Sequence, residues 1–311
     1  MSRGEYQMGR RELLKLIAGL AGGYWIAPAF TYAADRTPIR KAIPSTNEMI
    51  PVIGLGTSRT FDSAGDPDTI NNLGKVLETF FQQGGSLIDS SPMYGSSEQV
   101  IGTLLKTANK PKSLFAATKV WTDGKAHGVA QMALSKKLWG IQHFDLMQIH
   151  NLRDWRTHLE TLKVMKTEGD IRYIGITTSH GRSHDELFEI LSSHPFDFVQ
   201  LSYNIGNREV EKRLLPLASE RGIAVIANRP YARGSLFRQT KGKAMPDWVD
   251  EFGCNSWGQF FLKHAVSHPA ITCAIPATSK VHHMIDNMEA GFGQLPDRKM
   301  RKKMEATFDA L

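Results

Sequence analysis

Cysteine is scarce. Cys254 and Cys273 are the only two in 311 residues, too few for a disulfide framework. Cys273 stands in an apolar run, where a buried free thiol is expected, so the cysteines leave the compartment open. The chain has no low-complexity linker and no shift in composition that would mark a second domain. It also lacks a full dinucleotide fingerprint, because Gly54-Leu55-Gly56-Thr57 leads to Arg59 where GxGxxG requires glycine. The formal charge is +7, yet the basic residues are scattered. The one dense run, Arg298-Lys299-Met300-Arg301-Lys302-Lys303, reads as a solvated helix face, and no nucleic-acid partner is expected. No metal ligand set is assigned. What remains, 41% hydrophobic and 22% charged residues, is ample material for a large globular core.

Short apolar runs alternate with longer segments of helical pattern. The runs begin near Pro51, Ser86, Leu114, Phe144, Ile171, Asp197, Ile223 and Ile271, spaced by 26 to 35 residues except for a last gap of 48. Spacing near 27 suits a strand, a loop, a helix and a return loop. Eight such units predict a single-domain (β/α)8 TIM barrel; a doubly wound sheet is the alternative. Helices are expected over 68–83, with Ile70, Leu73, Leu77 and Phe80 on one face, and over 211–221. The long gap predicts an extended loop through Arg233–Arg238 and on to Pro246. A small hairpin is expected before the barrel, 39–43 against 48–50, turning at Pro44-Ser45-Thr46-Asn47.

The N-terminus carries a separate signal. Arg10-Arg11 precedes an uncharged, mildly apolar stretch from Leu16 to Ala34, and Thr31-Tyr32-Ala33 offers small residues for cleavage after Ala33. This resembles a bacterial twin-arginine (Tat) export signal. The reading assigns 1–33 to the signal and 34–311 to the barrel, with the Tat translocase as partner and a periplasmic or exported destination. The alternatives are an uncleaved membrane anchor, the 19 uncharged residues falling just short of the roughly 20 that span a bilayer, or a cytoplasmic start. Cleavage would remove four basic and two acidic groups, leaving +5.

The chemistry concentrates at strand ends. Ile88-Asp89-Ser90-Ser91-Pro92-Met93-Tyr94-Gly95 puts a carboxylate five residues before a phenol; Lys119 and His150 end the next two apolar runs. A lysine beside a phenol favours phenolate, a carboxylate keeps that lysine charged, and an imidazole orients a polar substrate group. The order Asp89, Tyr94, Lys119, His150 resembles the aldo-keto reductase family over about residues 38–290. The resemblance implies a catalytic tetrad in which Tyr94 protonates a carbonyl oxygen while hydride arrives from NADPH, with NADH the second choice. It further implies nicotinamide contacts from Gly56, Thr57, Thr177, Thr178, Gln200, Asn228 and Arg229. Adenine and phosphate contacts would come from Ala277, Thr278, Ser279, Lys280, His283, Asp286 and Asn287.

The chain departs from the family pattern at several places. Thr177-Thr178 replaces a serine-asparagine pair, Asn228 an aromatic that stacks on nicotinamide, Arg229 a serine, Ala277 a lysine and His283 an arginine. Lys280 or Arg229 would then supply charge to the 2′-phosphate. Little chain follows the last barrel helix, which implies an open, permissive pocket for a small-molecule carbonyl substrate in a monomeric enzyme. Two other functions stay open at this point: a Schiff-base aldolase or lyase using Lys119, and a non-catalytic nucleotide-binding or sensor protein on the same fold.

Overall fold

The computed structural model describes residues 37–63, 65–108 and 111–311. The segment 1–33, read above as an export signal, and its boundary lie outside these residues. A hairpin comes first: β1 (Arg40–Ala42) pairs antiparallel with β2 (Met49–Pro51), Lys41 opposite Ile50. Asn47, in a left-handed conformation, helps close its turn. Pro51, expected to open the first barrel strand, belongs to this hairpin instead.

Eight parallel strands follow: β3 (Leu55–Gly56), β4 (Leu87–Asp89), β5 (Phe115–Val120), β6 (Phe144–Ile149), β7 (Ile171–Thr177), β8 (Phe198–Ser202), β9 (Ala224–Asn228) and β10 (Ile271–Ala274). Each pairs with its neighbours in chain order. The seam between β3 and β10 closes by the bridges Ile53↔Ala274 and Gly56↔Ala277, with Gly54 N–H donating to Ala274 O at 2.9 Å. Glycine is required at this seam, because a Cβ on Gly56 would sit 2.7 Å from the Ile275 carbonyl oxygen. The fold is therefore the (β/α)8 barrel expected from the run spacing.

Side chains alternate across each strand, and that alternation builds two cores. Inward, Leu87, Phe115, Leu146, Tyr173, Phe198 and Ile226 fill the lower barrel, with Ile43 and Ile50 of the hairpin packed into the same cluster. Outward, residues such as Ile88, Ala116, Met147 and Val199 meet the helices. One pleat above Leu87, Phe115, Leu146 and Phe198 the same parity carries Asp89, Ala117, Gln148 and Gln200, and Lys119 follows Ala117. The interior thus changes from apolar to polar within a few ångströms of the rim.

The helices are α1 (Pro67–Gln82), α2 (Ser97–Thr107), α3 (Lys125–Trp139), α4 (Trp155–Glu168), α5 (His184–Ser193), α6 (Leu214–Glu220), α7 (Ser235–Gln239), α8 (Trp257–Ser267), α9 (Val281–Glu289) and α10 (Arg298–Asp309). Asp66 caps α1 by accepting from the Asp68 and Thr69 amides, with Pro67 at the first helical position. Three expectations need correction. The helix expected over 211–221 starts only at Leu214, since Pro216 lacks an N–H and is tolerated only in a first turn; Glu209–Glu211 forms a separate 3₁₀ turn. The loop expected after β9 holds α7 and two 3₁₀ turns, Ala232–Gly234 and Asp247–Phe252. In the basic run on α10, Arg301 turns inward, donating to Tyr203 Oη at 2.7 Å and Glu211 Oε1 at 3.1 Å.

Helices α2 and α3 approach so closely that a Cβ on Gly102 would lie 1.8 Å from the Leu138 carbonyl oxygen. Backbone cannot yield that far without separating the two helices. Gly102→Ala is expected to lower unfolding stability by at least about 2 kcal/mol, read from the urea midpoint at constant slope.

Candidate active site

The rim at the strand C-termini holds the four groups of the tetrad. Asp89 ends β4 and Lys119 lies near the end of β5; both side chains are almost fully buried. Lys119 Nζ donates to Asp89 Oδ2 at 2.6 Å and to the Ser90 carbonyl oxygen at 2.7 Å, and it lies 5.1 Å from the Tyr94 ring centroid. Tyr94 sits in the β4–α2 loop, where Ser97 Oγ donates to its carbonyl oxygen at 2.7 Å. From the neighbouring loop after β3, Asp62 Oδ1 accepts from Ser96 N and Oγ, which ties the two loops together. His150 follows β6, its ring perpendicular to that of Tyr94 with centroids 5.9 Å apart. Ser91 Oγ lies 2.9 Å from His150 Nδ1.

The second oxygen of Asp89 is also claimed. Gln148 Nε2 and Gln200 Nε2 each donate to Asp89 Oδ1 at 2.9 Å, and Gln200 Nε2 also reaches Gln148 Oε1 at 3.0 Å. Gln148 was not singled out from the sequence, although its place two residues before His150 gives it the same inward parity. Gln200, expected on the nicotinamide carboxamide, here has its amide nitrogen on Asp89. Asn228 crosses the rim, donating to Thr178 O at 3.0 Å and accepting from Ser202 Oγ at 2.7 Å.

Electrostatics follow from burial. Burial alone would lower the lysine, but the Asp89 carboxylate and the Tyr94 phenol outweigh it and hold Lys119 above its ordinary value. Burial pushes Tyr94 up, with Lys119 pulling back against it. This corrects the expectation that the lysine brings the phenol down toward neutrality: desolvation of a phenolate is the larger effect. Burial, then the Lys119 charge, pushes the His150 imidazole down to about 3. The arrangement therefore offers a protonated phenol, a fixed ammonium behind it and a neutral imidazole beside it.

A cleft of about 1120 Å³ opens above these groups. Asp89, Tyr94 and His150 line it, while Lys119 lies beneath its floor. Gly56, Thr57, Thr177, Thr178, Gln200, Asn228 and Arg229 line it too. Thr57 Oγ1 donates to the Asp89 carbonyl oxygen at 2.9 Å, and Thr177 Oγ1 accepts from Asn151 N at 3.1 Å. Ala277, Thr278, His283, Asp286 and Asn287 line the cleft from the loop and helix after β10, next to Gly56 across the seam. Asp286 is engaged by Ser256 Oγ and by Gln259 Nε2, both at 2.8 Å, joining α8 to α9. Ser279 lies instead on an adjoining shallow pocket. Lys280 caps α9 with its N–H on Thr278 Oγ1 at 3.1 Å. Arg59, His180, Arg182 and Arg233, also not singled out from the sequence as site residues, stand at the mouth.

A folded-state value near 3 for His150, below the unfolded value of about 6.5, means that its neutral form contributes stability above pH 6.5. That contribution is lost as pH falls toward 3. Nuclear magnetic resonance titration is expected to show the His150 ring still neutral at pH 5; a midpoint above 6 would contradict the burial argument.

The profile of the aldo/keto reductase family matches residues 52–306. An uncharacterized oxidoreductase of Schizosaccharomyces pombe is 28% identical over 271 residues, covering 86% of this chain and 80% of that protein. The aldo-keto reductase YhdN of Bacillus subtilis is 29% identical over 204 residues, and the chain spans 59% of its length, with 59% of this chain covered. Among solved structures, an aldo/keto reductase from Klebsiella pneumoniae in complex with NADP and acetate superposes with a TM-score of 0.69 at 21% identity, covering 84% of this chain and 93% of that one. This last likeness is one of fold. With a family profile covering most of its length, the chain belongs to the aldo/keto reductase family.

Proposed function

We propose that the protein reduces an aldehyde or ketone to an alcohol, reversibly, with NADPH as hydride donor. The observation that carries the reading is the Tyr94–Lys119–Asp89–His150 cluster at the floor of the cleft. Bound NADPH would supply the hydride to the carbonyl carbon and leave as NADP⁺. Tyr94 Oη gives its proton to the carbonyl oxygen as negative charge develops there. The Lys119 ammonium stabilises the phenolate left behind, and Asp89 holds that ammonium in place with Gln148 and Gln200 fixing its other oxygen. His150, neutral, is a hydrogen-bonding partner for the substrate oxygen and does not compete for the proton. In the reverse direction the Tyr94 phenolate takes the alcohol proton.

The residues fit a nicotinamide dinucleotide. Two buried polar atoms of cleft-lining residues, Thr178 Oγ1 and Asn287 Nδ2, have no partner among the described residues, and an orphaned buried group calls for a ligand that satisfies it. Thr178 and Asn228 would hold the carboxamide end. Thr278, Asn287 and His283 would meet the adenine and phosphate end, with Arg229 lining the same cleft as a further charge. The relative from Klebsiella pneumoniae, described with NADP, supports the phosphorylated cofactor. A Schiff-base role for Lys119 is disfavoured, because its Nζ is protonated and engaged by Asp89 and Ser90, whereas that nucleophile must be neutral and free.

Turnover of NADPH with a panel of aldehydes and ketones tests the reading. Tyr94→Phe is expected to lower kcat by about 100-fold or more, the size of a lost general acid, with cofactor binding retained. Equal rates in both proteins would sink it. Export is a second part of the proposal, supported by Arg10-Arg11 and the apolar stretch after it. Replacing both arginines by lysine is expected to hold the protein in the cytoplasm, read by fractionation; unchanged distribution would speak against a twin-arginine route.

A further inference from the structure

Ser91 stands at the head of the loop between β4 and α2, two residues past Asp89, and is fully buried. Its carbonyl oxygen accepts from Tyr94 N at 3.0 Å, and its Oγ accepts from Met93 N at 3.3 Å. Serine at the first position of a turn, with proline at the second, favours closure of that turn. The turn so formed carries Tyr94. The same Oγ also lies 2.9 Å from His150 Nδ1.

A serine hydroxyl holds one proton and two lone pairs, and a neutral imidazole holds one proton on one of its two nitrogens. Where the protons sit follows from counting donors against acceptors. The Met93 amide can only donate, so it occupies a lone pair of Ser91 Oγ and leaves the hydroxyl proton to be placed. Among the described residues, His150 Nδ1 is the one acceptor within hydrogen-bond distance of Ser91 Oγ. If Nδ1 carried the ring proton instead, the buried hydroxyl proton would have no acceptor, at a cost of about 1–3 kcal/mol. The ring is neutral, held to about 3 by burial and then by the Lys119 charge. A bare Nδ1 therefore puts the single ring proton on Nε2. That nitrogen has no partner among the described residues, and His150 lines the cleft.

We propose that Ser91 is a positioning residue that fixes His150 as its Nε2–H tautomer, so that the ring presents a donor to the substrate's carbonyl oxygen. The proposal rests on the reductase reading above and deepens it. A carbonyl oxygen can only accept hydrogen bonds, and donors aimed at it gain strength as negative charge develops there. A bare Nε2 lone pair would oppose that charge. Tyr94 gives the proton, while Nε2–H supplies a second donor and keeps its own. Ser91 also joins the two groups. The turn it opens ends on Tyr94, and its hydroxyl holds a ring that stands perpendicular to the phenol with centroids 5.9 Å apart. One side chain thus sets both donors that the oxygen meets.

Nuclear magnetic resonance of the full chain with nitrogen-labelled histidine reads the tautomer directly, because protonated and bare ring nitrogens differ widely in shift. The His150 signals are assigned by their absence from His150→Gln. Wild type at neutral pH is expected to show Nε2–H alone, and a ring protonated on Nδ1 would overturn the proposal. Ser91→Ala removes the hydroxyl and adds no volume. It is expected to add signals of the Nδ1–H form and to lower kcat about tenfold, the size of one hydrogen bond to the reacting oxygen. KM for NADPH should stay unchanged. A Ser91→Ala protein that keeps the Nε2–H form alone would defeat the proposal whatever its rate, since a merely structural serine slows turnover without moving the proton. An unaltered kcat would defeat it equally. If neither protein reduces any carbonyl, the reductase reading fails, while the wild-type spectrum still decides the tautomer.

Discussion

The buried Lys119–Asp89 ion pair is the interaction on which the rest of the site depends. Both side chains are almost wholly out of water and 2.6 Å apart. Removing one partner of such a pair costs about 3–5 kcal/mol, because the other charge is left stranded. A pair that costly to assemble persists only where further hydrogen bonds satisfy it, and here they do. Ser90 takes a second lysine proton, while Gln148 and Gln200 fill the free carboxylate oxygen. The same ammonium lies behind the Tyr94 ring and helps to suppress protonation of His150. Burial is the first cause of the protonated Tyr94 and the neutral His150, and the ammonium held by Asp89 then acts on both.

The barrel supplies the setting. Strand alternation fills the lower interior with Leu87, Phe115, Leu146 and Phe198, and the same parity then puts Asp89, Gln148 and Gln200 one pleat higher. Apolar packing below leaves the polar layer no room to relax, so the amides and the carboxylate meet at fixed distances. Above that layer the loops are free to vary, and here they vary toward positive charge. The cleft's three carboxylates are each tied to neighbouring side chains. A packed barrel below loops of changeable sequence is how one fold supports different substrates.

Much of this was legible in the chain. Eight apolar runs near 27 residues apart were enough for the barrel, because that pattern is periodic in sequence, while the four groups near the ends of consecutive runs stood out through the likeness of their order to the aldo-keto reductases. The first run was harder to assign. Pro51 lies in the hairpin and β3 is only two residues long, held by the close approach of Gly56 to Ile275 across the seam, a contact that no local pattern announces. The helix expected from residue 211 began at Leu214 because of Pro216, a signal that was present but outweighed by apolar spacing. Gln148 had the right parity but no motif to mark it. The basic run on α10 looked solvated until the fold brought Tyr203 and Glu211 to Arg301.

Sequence alone determined the repeating strand–helix order and the inward parity, since each depends on residues near one another in the chain, and its likeness to a family marked the four groups at the rim. Tertiary structure decided the rest. Burial raised Tyr94 against the pull of Lys119, an outcome set by how much water the fold excludes. The meeting of Arg59, Arg182, Arg229 and Arg233 at one mouth joins loops up to 174 residues apart. Charge density is a property of distance in space, and only the closed barrel sets those distances.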